Sequence, residues 1–218
     1  MSASRSLPDR QTLPVNINIV VIAITCVISF LAFRNGRLLE RLILWPPAIS
    51  RHHQYYRLVS YGLVHASPAH LLFNMITLFF FGQIMEQFYA LRAGAIGFAA
   101  FYVGALVVSI LPTYFSNRDN PRYRSLGASG AVSAVLFAFI LLRPWATIYV
   151  WFLPVPAIIY AVLYVAYSIY MDRSDSDNVN HSAHLWGGAY GIAVTLLIEP
   201  RLFSQFLTSL SHPEFRLH

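Results

Sequence analysis

The chain has 218 residues, 57% of them hydrophobic and only 11% charged, with a mean hydropathy of +0.55. An ordinary soluble domain carries roughly 25% charged residues, so this composition excludes a soluble globular protein and an intrinsically disordered one. All 15 cationic side chains are arginine, against 9 acids for a net charge of +6; they stand at the ends of apolar stretches and in loops, which suits contact with anionic lipid rather than nucleic-acid binding.

Residues 1–14 are polar, contain Pro8 and Pro14, and read as an N-terminal tail. The first apolar span, about 15–33, ends in Arg34-Asn35-Gly36 instead of a small-x-small cleavage site, so it reads as a retained span and not a signal peptide. It holds Cys26, the only cysteine, which excludes an intrachain disulfide and a cysteine-based metal site. The connector from Arg34 to His65 mixes five arginines with Trp45-Pro46-Pro47 and suits the membrane interface. Further spans are expected at about 66–87, 94–115, 127–142, 148–171 and 183–199, drawn from the charge-free intervals 58–85, 93–117, 125–142, 144–171 and 178–198, each close to or above the ~18–20 residues that cross a bilayer. Polar loops at 116–126 and 172–180 cannot cross lipid. Residues 201–218 read as a C-terminal tail, because the charge-free interval 202–213 is too short to span. The expected architecture is all-α: a polytopic membrane protein with one six-helix domain over 15–200.

A polar side chain at membrane depth is costly and marks a functional position by default. His70 and Asn74 are four apart on span 2, hence on one face, with His65 just before that helix. Span 4 opens with Gly127-Ala128-Ser129-Gly130, and span 6 with His181-Ser182-Ala183-His184. Even-numbered spans run in the same direction, so these groups lie at one shallow level of one membrane face. A serine, a histidine and two further hydrogen-bonding side chains form the set that acyl transfer requires: nucleophile, general base and oxyanion donors. Gly130, Ala134 and Ala138 on span 4, and Ala183, Gly187 and Gly191 on span 6, repeat every four residues and permit close helix packing.

Each feature also has a plainer reading when taken alone. A Gly-x-Ser-Gly string is short and common, His70 with Asn74 could be a satisfied interhelical pair, and His181 with His184 could hold a metal. No carboxylate or cysteine stands at ligand spacing near those two histidines, and no cofactor or metal is expected. Glu86, at the opposite end of span 2, reads as a structural interfacial carboxylate. It is the joint placement of the polar groups that favours chemistry.

With those residues in place, the chain resembles the rhomboid intramembrane serine proteases of the six-helix prokaryotic type. The matching motifs are His70-Leu71-Leu72-Phe73-Asn74, Gly127-Ala128-Ser129-Gly130, and Ala183-His184 followed by Gly187 and Gly191. The resemblance implies Ser129 as nucleophile and His184 as general base in a dyad, and His70 and Asn74 as oxyanion-stabilising side chains. Gly127, Gly130, Gly187 and Gly191 support them. It also implies transmembrane protein substrates, a lipid environment, and a multi-pass protein of the prokaryotic inner membrane with cytoplasmic termini. Two departures stand out: Tyr56-Arg57 replaces a Trp-Arg pair, and Ser133 stands where relatives often place a tyrosine that stacks under the catalytic histidine. The arginine distribution also runs against that orientation, with six on the inner segments and nine on the outer, five of the nine in the connector.

Two rival functions differ in what they require. A catalytically silent rhomboid-like protein that binds transmembrane helices usually lacks the serine or the histidine, and both are present. A small transporter needs polar residues through both halves of the membrane, yet the inner halves of spans 2, 4 and 6 are almost wholly apolar.

Overall fold

A computed structural model describes residues 16–150, 152–174 and 179–213, so the expected tail at 1–14 lies outside the described residues. Helix α1 (Ile17–Arg34) begins at Asn16, whose side chain accepts from the Ile19 amide. Glu86 of α5 (Pro68–Ala93) accepts from the amides of Ile17 at 2.6 Å and Asn18 at 3.2 Å. A carboxylate thereby faces the positive end of the α1 dipole, a structural role. Asn18 is buried and donates to the Leu78 carbonyl at 3.0 Å. A Cβ on Gly82 would run into the Asn18 side chain, so the missing side chain sets the approach of α1 to α5.

The connector folds into α2 (Gly36–Leu42), α3 (Pro46–His52), α4 (Arg57–Ser60) and a 3-10 turn, Tyr61–Leu63. Arg57 gathers it: the guanidinium, almost fully buried, donates to the carbonyls of Glu40 (2.9 Å) and Ile43 (2.6 Å) and to Gln54 Oε1 (2.7 Å). Tyr56 lies beside it, its ring centroid 5.6 Å from the guanidinium carbon. The backbones of Leu44 and Ser125 exchange two hydrogen bonds, which fasten the connector to the loop before α7.

α7 (Ser129–Leu142) is the centre of the bundle, with every residue from 130 to 141 buried. A helix apolar on all sides belongs in such a position. α6 (Gly97–Ser116), α5 and α9 (His181–Ile198) surround it. In lipid no hydrophobic drive pushes helices together, so close backbone packing has to hold them. A Cβ on Gly187 would meet the Gly130 carbonyl, and one on Gly191 the Ala134 carbonyl. The small-residue faces read from the sequence do meet.

The fold is the expected all-α membrane bundle, and among the described residues α8 (Ala157–Ser174) packs beside α9 in it. Among the described residues α1, α5 and α6 have the length and apolarity to cross a membrane, and α7 is a shorter apolar helix of 14 residues. Two expectations are corrected. The fifth span does not begin as helix at 148: β1 (Thr147–Val150) and β2 (Leu153–Pro156) form an antiparallel hairpin, and helix starts only at Ala157. β-branched and aromatic residues fill β1, and Pro154 and Pro156, two in three residues, remove helix hydrogen bonds and disfavour helix there, while hydropathy alone does not distinguish the two structures. The segment 201–218, expected as a C-terminal tail, contains a helix. Leu202, Phe203, Phe206, Leu207 and Leu210 recur at helical spacing and make α10 (Arg201–Ser211), held by the Trp145 indole donating to the Ser209 carbonyl at 2.7 Å. α5 also outruns its expected end at 87, and its Arg92 meets Glu199 at 3.2 Å.

If the α7–α9 contact holds the bundle together, Gly191→Val should cost about 1–3 kcal/mol or more through overpacking. The thermal midpoint in detergent should drop for Gly191→Val but not for the same change at the unobstructed Gly36, where a Cβ meets nothing within 4 Å.

Candidate active site

The loop 117–128 enters α7 through Gly127, whose φ of +109° favours glycine and whose missing side chain leaves room for the His70 ring. Its amide donates to the Tyr61 carbonyl at 2.9 Å, while the Tyr61 hydroxyl donates to the Leu106 carbonyl at 2.7 Å. The next amide, that of Ala128, donates to His65 Nε2 at 3.3 Å. Since Nε2 accepts, Nδ1 carries the proton and donates to Ser29 Oγ at 3.0 Å, which in turn donates to the Leu63 carbonyl at 2.8 Å. A buried chain from α1 through His65 thus holds the residue immediately before Ser129.

Ser129 is the first residue of α7, and no side chain caps that helix end, which leaves first-turn amides available. His184 lies in the first turn of α9, where Asn180 caps the helix by accepting from the Ala183 amide at 3.0 Å. His184 Nε2 and Ser129 Oγ are 2.8 Å apart. Gly130 makes that approach possible, because a Cβ there would press on Ser109 Oγ and lie 3.2 Å from the Ala183 carbonyl.

Span-2 residues reach the same place from α5. His70, its amide bonded to Ser67 Oγ at 3.2 Å, puts its ring 5.0 Å from that of His65. One turn on, Asn74 is buried, and its Nδ2 has no hydrogen-bond partner. A cavity of about 1130 Å³ is lined by His70, Asn74, Ser129 and His184, with Tyr160 and Tyr164 of α8 along one wall. The fold therefore brings together all four residues that the sequence singled out, with Gly127, Gly130, Gly187 and Gly191 at the closest approaches around them. An unpartnered amide donor beside a serine–histidine pair is equipped to receive negative charge on an oxygen.

Two contributors carried no assigned role in the sequence. His65 stood out only as a histidine near the helix start, and its value depends on Ser29 and Ala128, remote in the chain. Tyr164 stacks on His184 with ring centroids 6.0 Å apart and 28° between planes, and its hydroxyl lies 2.7 Å from Ser133 Oγ. A signal for it existed in the spacing of Tyr160, Tyr164 and Tyr167, which share a helical face. Among the described residues no group of three or more His, Cys, Asp or Glu side chains is placed to hold a metal. His181 and His184 meet edge to face, centroids 5.6 Å apart.

Comparison with known proteins points the same way as the motifs. Residues 52–201, more than half of the chain, match the family model of the Rhomboid domain. The chain is 34% identical over 146 residues to "RHOMBOID-like protein 12, mitochondrial" of Arabidopsis thaliana, covering 61% of this chain and 43% of that one. It is 25% identical over 162 residues to "Putative rhomboid protease YdcA" of Bacillus subtilis, covering 72% of this chain and 76% of that one. It therefore spans less than half the length of the plant relative.

Burial, with His70 alongside, pushes the His65 imidazole from its ordinary 6.5 down to about 3. Between those values the unfolded chain binds more protons than the folded one, so stability falls as the pH drops through that window. The thermal midpoint in detergent should decline between about pH 7.5 and about pH 5. It should decline less in His65→Gln, which offers Ala128 an acceptor without a titrating ring; equal slopes would contradict the buried neutral imidazole.

Proposed function

The chain belongs to the rhomboid family, and from that membership and the site geometry we propose that it is an intramembrane serine endopeptidase that cleaves transmembrane-helix substrates near the membrane surface. The observation that carries the reading is the 2.8 Å contact between Ser129 Oγ and His184 Nε2, made across two helices. His184 takes the Ser129 proton as the oxygen attacks a peptide carbonyl, then returns it to the leaving amine. Asn74 Nδ2, buried beside the cavity and unpartnered, meets the tetrahedral oxyanion together with His70 and a first-turn amide of α7. Water then attacks the acyl-enzyme, with His184 again as base.

The length of α7 supports a shallow site. Its 14 residues rise about 21 Å, against a hydrocarbon core of ~30 Å. With Arg143 at one interface, Ser129 lies roughly 9 Å below the other. At that depth the cavity can admit water from one face and a helix end from the bilayer. A helical substrate hides its carbonyls in hydrogen bonds, so the scissile stretch must unwind, which favours Gly, Ala, Ser or Pro there. The setting we assign is a prokaryotic inner membrane with cytoplasmic termini, so the cavity opens on the outer face.

The rival reading, a silent rhomboid-like protein that binds transmembrane helices, has no use for an activated serine. Purified protein in liposomes, treated with a serine-directed fluorophosphonate and a model transmembrane substrate, separates the two. Wild type should label and cleave, and Ser129→Ala and His184→Ala should do neither. His70→Ala and Asn74→Ala should each lose about 10²–10³ in rate. Labelling that survives Ser129→Ala, or a wild type that neither labels nor cleaves, would reject the protease. For orientation, a C-terminal alkaline phosphatase fusion in a bacterial host should be inactive and a fluorescent-protein fusion bright; the reverse would invert the topology.

A further inference from the structure

α8 is thinly packed for a helix that borders the site: of its 18 residues only Ala157, Ala161 and Ser168 are buried. Its strongest sequence feature is the stripe Tyr160, Tyr164 and Tyr167, spaced to share one face. That face meets α9 ring to ring. Tyr164 stacks on His184 at 6.0 Å, Tyr167 meets His181 edge-on at 5.6 Å, and Tyr160 packs on Tyr164 at 5.8 Å. His184 therefore sits between the Tyr164 ring and the edge of His181, itself 5.6 Å away.

The other end of Tyr164 is tied to α7. Its hydroxyl is 2.7 Å from Ser133 Oγ, and its ring lies 5.7 Å from that of Phe137. Ser133 is buried and stands one helical turn after Ser129. The same edge of α7 thus presents Ser129 Oγ to the imidazole nitrogen of His184 and Ser133 Oγ to the phenol stacked on that imidazole. This matters because an imidazole turns freely about χ2, a broad two-fold torsion, while proton transfer from Ser129 needs Nε2 in one direction. An offset aromatic stack at this separation restricts that turn.

Resting on the reading of Ser129 and His184 as nucleophile and base, we propose that Tyr164, anchored by Ser133, is the positioning residue that orients the His184 imidazole, so that catalysis requires α8 to be seated against α7 and α9. Ser133 has a definite part in this: a small hydroxyl there leaves space for a ring delivered from a different helix and bonds its tip. The stacking partner of the base belongs to α8, the thinly packed helix, and not to the helix of the nucleophile.

The test compares wild type, Tyr164→Leu, Tyr164→Phe and Tyr167→Leu in liposomes. Three quantities are read: the second-order rate of fluorophosphonate labelling, kcat and KM on a model transmembrane substrate, and the thermal midpoint. Tyr164→Leu should lower labelling rate and kcat by about 10- to 100-fold with KM nearly unchanged, as expected when a reacting group is misplaced. Tyr164→Phe keeps the stack and should retain most of both rates. Tyr167→Leu removes equal ring area from the same face without touching His184 or the cavity wall and should leave the rates near wild type. Undiminished labelling and kcat in Tyr164→Leu would overturn the assignment, as would equal losses in Tyr167→Leu, which would make the effect one of packing. A wild type that never labels would reject the serine–histidine reading itself and this assignment with it, an outcome distinct from the other two.

Discussion

The site depends on one close approach, that of the α9 backbone to the α7 backbone. At Gly187 and Gly191 a single added carbon would strike the carbonyls of Gly130 and Ala134. Only at that separation do a serine side chain and a histidine side chain, both short relative to a helix diameter, come within 2.8 Å of each other. In a bilayer the contact cannot be replaced by generic apolar packing, because lipid tails satisfy a leucine as well as another helix does. Small residues are therefore the cohesive element of this protein, and the polar pair at the top of the contact is its consequence.

A second layer of organisation is polar and lies around the end of the bundle that holds the cavity. Arg57 collects carbonyls of the connector, the backbones of Leu44 and Ser125 pair, and His65 links α1 to the amide before Ser129. Each of these satisfies a group that lipid would leave unpaired, which makes the irregular backbone tolerable at that depth. Asn74 Nδ2 is one of the buried polar atoms without a partner, and it belongs to a residue that lines the cavity. A buried donor left unpaired is costly. In the protease reading, the developing oxyanion supplies what the resting site lacks.

Which parts of this were legible in the sequence follows from how local the cause is. The long helices were visible because charge-free intervals and polar loops alternate along the chain, and the α7–α9 faces because small residues recur every four positions. Ser129, His184, His70 and Asn74 stood out because polar groups are scarce in apolar spans. The hairpin at 147–156 was hidden, since an apolar run reads alike as strand or helix until Pro154 and Pro156 are weighed. The helix α10 was hidden by a length criterion suited to spanning segments and not to interfacial ones. His65 and Tyr164 were hidden for a different reason, because each acts through partners on other elements.

The sequence by itself determined the solvent this protein lives in, the helical class of its fold and the family resemblance, all of which follow from composition, spacing and short motifs. Tertiary structure alone decided which atoms meet. It placed Nε2 of His184 against Ser129 Oγ, assigned the proton of His65 through Ser29 and Ala128, and brought the ring that stacks on His184 from α8. Those outcomes hinge on separations of a few tenths of an ångström between helices remote in the chain. Periodicity along one helix carries no information about such distances, because they are set by the missing side chains of the helix it packs against.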